Sequence, residues 1–312
     1  MSTTIAPAAD GLTAARTTSP SASVLAVINA RASRVHDAEN LRRAVRGALV
    51  AEGASADAVT TSSLADLRDA LARADGRRVV LVGGDGALHA VANLGLALPE
   101  LALVPAGRAN NIARALGIPT TLRDAARVAV RGAARPLDAL EVRTPGRSLV
   151  AVEGVSAGLH AAGRMRYEGE NSGSVTQGAI ALAQTLRELP RYETRLALDD
   201  APPRTVALGQ LFLSTLPYFA FGLRVDPVAD VRDGVAEAIL LRAASRRRAL
   251  RLLLAARSGH HLELEGVELS RWRRAELPDP VPLTADAEPL GMTTASIAVL
   301  PGALRVATGT EA

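Results

Sequence analysis

The chain has 312 residues, 48% hydrophobic and only 2% aromatic, which is enough for two domain-sized cores filled mainly by Ala, Leu and Val. It contains no cysteine, which excludes disulfides, thiolate metal sites and a Cys nucleophile, and no lysine, which excludes a Walker A lysine and a Schiff base. Net charge is +4 with a pI near 10.4, carried entirely by Arg, and so few aromatics leave little to stack nucleobases; nucleic acid is not an expected partner.

Residues 1–23 are rich in Ala, Thr and Ser without a long apolar core, so the pattern predicts a disordered tail rather than a signal peptide. Val24–Ile28 is a short apolar strand. Beyond Asp37, Leu41, Val45, Ala48 and Leu49 recur at helical spacing until Gly53. A second strand is expected near Ala58–Thr60. Ser63 with Asp66 reads as a capping box opening a helix through Leu64, Leu67 and Leu71. Val79–Val82 is a third strand, apolar throughout, as a parallel strand buried on both faces requires; Leu101–Val104 is a fourth. Thr121 with Asp124 caps a helix ending near Gly132. This alternation predicts an α/β N-terminal domain with a parallel sheet over residues 24–135, its ligands at the carboxyl ends of the strands.

From about Pro136 the pattern changes to short apolar runs separated by turns: Ser148–Val152, Thr194–Leu198, Val206–Leu213, Ala236–Leu241, Ser296–Leu300 and Leu304–Ala307. Helical stretches interrupt near Gln177–Leu189 and Arg246–Arg257. Residues 136–312 are therefore expected to form a mostly antiparallel β-sandwich C-terminal domain, with the last strand free to return to the first sheet. Val206–Leu223 carries too many Gly, Ser, Thr and Pro residues to be a membrane span.

Two loops carry chemistry. Gly83-Gly84-Asp85-Gly86-Ala87, followed by His89, joins a buried strand to an apolar helix; such a turn lets phosphate approach the backbone and meet helix N–H groups, or is simply a tight turn with an Asp cap. Pro105-Ala106-Gly107-Arg108-Ala109-Asn110-Asn111 follows the next strand and opens another helix. Asp286 and Glu288, two apart, read either as paired catalytic carboxylates or as surface charges in a Pro-rich loop between Pro282 and Pro289. Asp226, Asp230 and Asp233 are either oxygen ligands for magnesium, with Asp85 a fourth candidate, or turn formers.

These residues resemble the diacylglycerol kinase catalytic-domain family of bacterial lipid kinases, within the NAD-kinase-like superfamily. That family carries G-G-D-G-T, then P-x-G-T-x-N-D some twenty residues later, an N-P-x-x-G strand end similar to Asn29–Ser33, a P-x-A…D-G segment similar to Pro227–Gly234, and a late D-G-E similar to Asp286-Ala287-Glu288. The chain departs from the pattern at Ala87, Ala90, Arg108, Asn111 and Ala287.

The resemblance implies an ATP-dependent kinase acting on a hydroxyl of a diacylglycerol-like or sphingoid-like lipid. The alternatives are a catalytically weak nucleotide- or lipid-binding regulatory protein on the same fold, and NAD kinase. It implies ATP and Mg2+ as cofactors. The expected nucleotide-binding residues are Asn29, Arg31, Thr60, Thr61, Gly83, Gly84, Asp85, Gly86, Ala87, His89, Gly107, Arg108 and Asn110. Asp230 and Asp233 are expected at a metal site, with Asp286 the general base and Glu288 its partner. The expected location is cytoplasmic, with peripheral contact at the inner membrane face, a membrane lipid as partner and a homodimer allowed. Arg246, Arg247, Arg248 and Arg251, interleaved with Leu250 and Leu252–Leu254, form either a helix for anionic lipid or a solvated helix face. Tyr218, Phe219 and Phe221 form either a lipid-pocket wall or ordinary core.

Overall fold

A computed structural model describes residues 22–32, 35–166, 175–219, 222–242, 245–256, 258–286 and 288–309. The first third of the chain alternates strand and helix: β1 (Ser23–Asn29), α1 (Ala38–Ala51), β2 (Ser55–Thr61), α2 (Leu64–Ala72), β3 (Arg78–Gly83), α3 (Asp85–Ala92) and β4 (Leu101–Pro105), then α4 (Asn111–Ala115) and α5 (Leu122–Arg131). The strands pair in parallel in the order β2-β1-β3-β4. Asp37 and Thr121 cap α1 and α5, and the Ser63–Asp66 capping box is present in full. All four strand ends fall on one rim: Asn29 lies level with Thr61, and Gly83 with Pro105.

The rest is β-rich: β5 (Ala133–Thr144), β6 (Arg147–Ala151), β7 (Gly154–Gly158), α6 (Leu159–Arg166), α7 (Val175–Glu188), β8 (Tyr192–Leu198), β9 (Arg204–Leu208), β10 (Gln210–Ser214), β11 (Ala236–Leu241), α8 (Arg246–Ala256), a 3-10 turn (His260–Glu263), β12 (Val267–Trp272), β13 (Arg274–Ala285) and β14 (Glu288–Thr308). Nearly every pairing here is antiparallel. The parallel α/β half followed by a mostly antiparallel β-rich half is the fold class expected from the residue pattern.

Several boundaries differ from expectation. Val206–Leu213 is two strands, because the chain turns at Gly209. Ser296–Leu300 and Leu304–Ala307 belong to one strand, β14, whose pairing with β5 shifts register between Leu300 and Leu304. The Pro-rich stretch before Asp286 is not a loop but β13; its ladder with β14 breaks between Leu277 and Val281, where Pro278 and Pro280 stand, so those prolines remove no ladder bond. β14 pairs with β13 along its first half and with β4, in parallel, at Val306–Leu101. It thereby joins the two halves into one continuous sheet path.

Two main cores follow. Val24–Ile28, Val79–Val82 and Leu101 pack beneath α1–α5, and Leu211, Leu213, Leu240, Trp272 and Leu283 fill the β-rich half. Phe219 is fully buried with Phe212 beneath α8, so it is core; Phe221 lies outside the described residues. On α8, Leu252 is buried while Leu250 and Leu254 are exposed. Among the described residues no helix is long and apolar enough to cross a membrane.

Candidate active site

The two Gly-containing loops pack directly on each other. A Cβ on Gly84 would lie 2.9 Å from Gly107 Cα, and one on Gly107 would lie 2.4 Å from Gly84 Cα. Only glycine permits that approach. The Ala106 N–H donates to Gly83 O (2.7 Å), and Asp85 reaches across to accept the Ile112 N–H (3.0 Å), capping α4 from the neighbouring loop. Asn110, in the left-handed region at φ 50°, holds both backbone polar groups of Gly107, accepting from its N–H and donating to its C=O at 2.9 Å each. Asn110 is therefore a clamp within the second loop.

Gly86 is different. A Cβ there would meet no protein atom within 4 Å, so nothing in the fold demands a glycine. It sits in the first turn of α3, whose leading N–H groups are open to an anion. Beside this turn is a cleft of about 160 Å³ lined by Asn29, Arg31, Thr61, Ser62, Ala87 and Ala90, among others. The Asn29 side chain accepts the Arg31 N–H, and the Thr61 hydroxyl donates to Ile28 O at 3.3 Å. Thr60, one residue out of phase, is exposed and does not line the cleft. Ser62 and Ser63 line it too, although the sequence marks Ser63 only as a helix cap and Ser62 not at all. Arg108 is exposed on the second loop.

Asp286 stands at the other end of the site, 8% exposed, in a left-handed turn at φ 50°. One carboxylate oxygen accepts the Glu153 and Gly154 N–H groups (2.7 and 3.0 Å); the other accepts the Val152 N–H (2.9 Å) and lies 2.7 Å from His89 Nδ1. His89 Nε2 is 3.4 Å from Glu288, which is ion-paired with Arg147. His89 was expected near phosphate, whereas the fold gives it to the two carboxylates. Burial alone would lower its pKa, but the hydrogen bonds and charges of Asp286 and Glu288 outweigh that and raise it. Ala287 lies outside the described residues.

Sequence reasoning missed one more carboxyl, Glu153, between β6 and β7. It is buried, and accepts from Asn111 Nδ2 at 3.2 Å. Burial drives its pKa well above the carboxylate range, and the nearby charges of Asp85 and Asp286 add to the effect. A lone Glu between two apolar runs gives no local sign of this role.

Asp230 and Asp233 are not brought to this cluster. Asp230 accepts the N–H of Arg232; Asp233 accepts that of Val235 and is ion-paired with Arg271. These are turn and ion-pair roles, and among the described residues no group of three or more His, Asp or Glu side chains is arranged to hold a metal ion. The two residues do not fit a magnesium site as they stand.

Residues 23–142 match the model of the diacylglycerol kinase catalytic domain, and residues 153–308 match that of the YegS C-terminal NAD kinase beta sandwich-like domain. Among curated proteins, the chain is 30% identical over 247 residues to a diacylglycerol kinase of Mycobacterium tuberculosis, covering 73% of this chain and 75% of that one. It is 28% identical over 242 residues to a protein of Chromohalobacter salexigens named probable lipid kinase YegS-like, covering 74% and 75%. Among solved structures, a diacylglycerol kinase from Bacillus anthracis superposes with a TM-score of 0.68 at 15% identity, covering 94% of this chain and 98% of that one. An NAD kinase from Archaeoglobus fulgidus in complex with ATP gives a TM-score of 0.52 at 13% identity, covering 92% and 94%. At such identities the structural likenesses speak for the fold alone.

Proposed function

The chain belongs to the diacylglycerol kinase catalytic-domain family of lipid kinases, and from that premise we propose that it transfers the γ-phosphoryl group of ATP to a hydroxyl of a diacylglycerol-like or sphingoid-like lipid. The observation that carries this reading is the meeting of two groups 201 residues apart: the phosphate-type turn at Asp85, which opens α3, and the fixed carboxylate of Asp286, joined by His89 of that helix.

Phosphoryl transfer asks a protein for positioning and charge, with little covalent chemistry. The Gly84–Gly86 turn and the first turn of α3 offer backbone N–H groups, and the open space at Gly86 suits the close approach of a phosphate. Asn29, Arg31 and Thr61 line the adjoining cleft for the rest of the nucleotide. Asp286 accepts the proton of the lipid hydroxyl as its oxygen bonds to the γ-phosphorus; the bond from that phosphorus to the β,γ-bridging oxygen breaks and ADP departs. Three backbone N–H groups and His89 hold Asp286 in one orientation, so little reorganisation accompanies the attack. Arg147 steadies Glu288, which in turn steadies the far nitrogen of His89. Magnesium is expected as the counter-ion of the ATP phosphates; no step is assigned to Asp230 or Asp233.

One observation favours a second reading. Ala87 and Ala90 line the cleft where the family pattern has Thr and Glu, so a hydroxyl and a carboxylate are missing there. A nucleotide-binding regulatory protein would tolerate that loss. Transfer of labelled phosphate from Mg-ATP to a mixed lipid extract separates the two. The kinase reading expects a labelled lipid with the wild-type chain and none with Asp286→Ala. ATP binding without any labelled lipid would favour the regulatory reading.

A further inference from the structure

We propose that Glu153 is a positioning residue that supplies, from the second half of the chain, the carboxyl group the second loop lacks at Asn111, and so keeps the site competent for phosphoryl transfer. The inference rests on the kinase reading and deepens it.

The family pattern has Asp where this chain has Asn111. Taken along the chain, that is a lost charge. In the fold, Asn111 is fully buried at the start of α4, and the group that meets its amide is a carboxyl: Nδ2 donates to Glu153 Oε2 at 3.2 Å. In this chain the acid of the pair is therefore Glu153 and the amide is Asn111. The number of acid and amide groups at the spot is the same as for an Asp at 111 facing an amide at 153.

Glu153 also stands between the two ends of the reaction. It meets Asn111, whose chain neighbour Ile112 donates its N–H to Asp85 at 3.0 Å, and its own backbone N–H donates to Asp286 at 2.7 Å. One residue therefore connects the phosphate turn, the second loop and the candidate base. A buried carboxyl is costly to keep, and an apolar or amide side chain would pack more cheaply in a purely structural role. Burial and the nearby charges of Asp85 and Asp286 raise its pKa. Its Oε2 accepts from Asn111 while its backbone N–H holds the Asp286 carboxylate. The Asn111–Ile112 segment, held by Asp85 on one side and by Glu153 on the other, is thereby fixed relative to Asp286.

Four full-length proteins test this: wild type, Asn111→Asp, Glu153→Gln and the exchange variant carrying both. Turnover and KM for Mg-ATP are read with dioleoylglycerol in phosphatidylglycerol vesicles and with sphingosine in the same vesicles. Thermal unfolding is read alongside. Each single variant is expected to lose about ten-fold or more in kcat, with KM for ATP changed less than about three-fold, because the groups act on geometry and not on nucleotide affinity. The exchange variant is expected to recover to within about three-fold of wild type, since contacting residues do not behave additively. A Glu153→Gln protein with wild-type turnover overturns the proposal, as does an exchange variant whose loss is the product of the single losses. A merely structural role would lower the melting temperature without this rescue. If the wild-type chain phosphorylates neither lipid, the kinase reading is what fails; the four proteins are then compared by their thermal midpoints, and losses that simply add in the exchange variant overturn the contact of Glu153 with position 111.

Discussion

At the residue scale, His89 and Asp286 set the chemistry. Asp286→Asn keeps the size of the side chain but removes the proton acceptor, so kcat should fall by about 10²–10⁴-fold while ATP binding changes little. Quench-flow transfer and calorimetric ATP titration read the two quantities separately. The contact between the two residues has its own pH signature. The folded pKa of His89 is raised above its ordinary value of 6.5. The native chain therefore holds a proton that the unfolded chain has already lost over the interval between them. The stabilisation from this pair is fully present below pH 6.5 and disappears as pH rises through the folded value. An NMR titration of His89 should give a value above 6.5 that falls in Asp286→Asn. A value at or below 6.5 would show that the pair does not form in solution.

At the scale of elements, the crossing of the two loops depends on glycines for two separate reasons. Gly84 and Gly107 approach each other so closely that a Cβ on either collides with backbone. Gly107→Ala should therefore destabilise the fold by about 1–3 kcal/mol, as overpacking does, visible as a lower denaturation midpoint. Gly86→Ala meets open space and should leave stability within about 0.5 kcal/mol of wild type. Its methyl group would instead stand where a phosphate is to approach, so the affinity for ATP should drop. If Gly86→Ala bound ATP as tightly as wild type, the phosphate would have to lie elsewhere along α3.

At the scale of the whole molecule, the halves are joined by β14, and within the β-rich half Asp138 ties β5 to the turn before β11 and to β14. Its buried carboxylate accepts the N–H groups of Gly234 and Gly302 at 2.7 Å each, and the Asp138 backbone N–H donates to Val231 O at 2.9 Å. The turn that carries Asp233 is thus tied to β5 and β14, and Asp138→Ala should cost about 1–2 kcal/mol by removing the acceptor of two N–H groups that are not fully buried, read by chemical denaturation. A second global effect comes from Asp226. Burial, first, and then the neighbouring Glu237 push its pKa up to about 8. Between its ordinary 3.8 and about 8 the folded chain retains a proton the unfolded chain releases. Stability should therefore decline as pH rises through that window, the reverse of a salt-bridged Asp. Asp226→Asn should flatten the decline; an unchanged slope would mean that another group carries it.

Taken by itself, the residue pattern determined the parts whose signal is local. Apolar runs buried on both faces, caps such as Ser63–Asp66 and the Gly-rich turn after β3 declare themselves within a few residues, because strand period, helix caps and tight turns are short-range properties. The change near Pro136 to short runs marked the passage to an antiparallel sheet for the same reason. Strands β5, β7, β12 and β13 escaped: Gly154–Gly158 is small and Gly-rich, Arg274–Ala285 carries prolines, and all four are strands through their pairing partners rather than through their composition. The same limit applied to the site. Asp286 and the Gly-rich turn stood out by resemblance, but that His89 belongs to Asp286, 197 residues away, and that Glu153 faces Asn111, was decided only by the tertiary structure. The register of β13 on β7 and the packing of β3 against β4 bring those side chains together, and register is a property of two strands at once, absent from either alone.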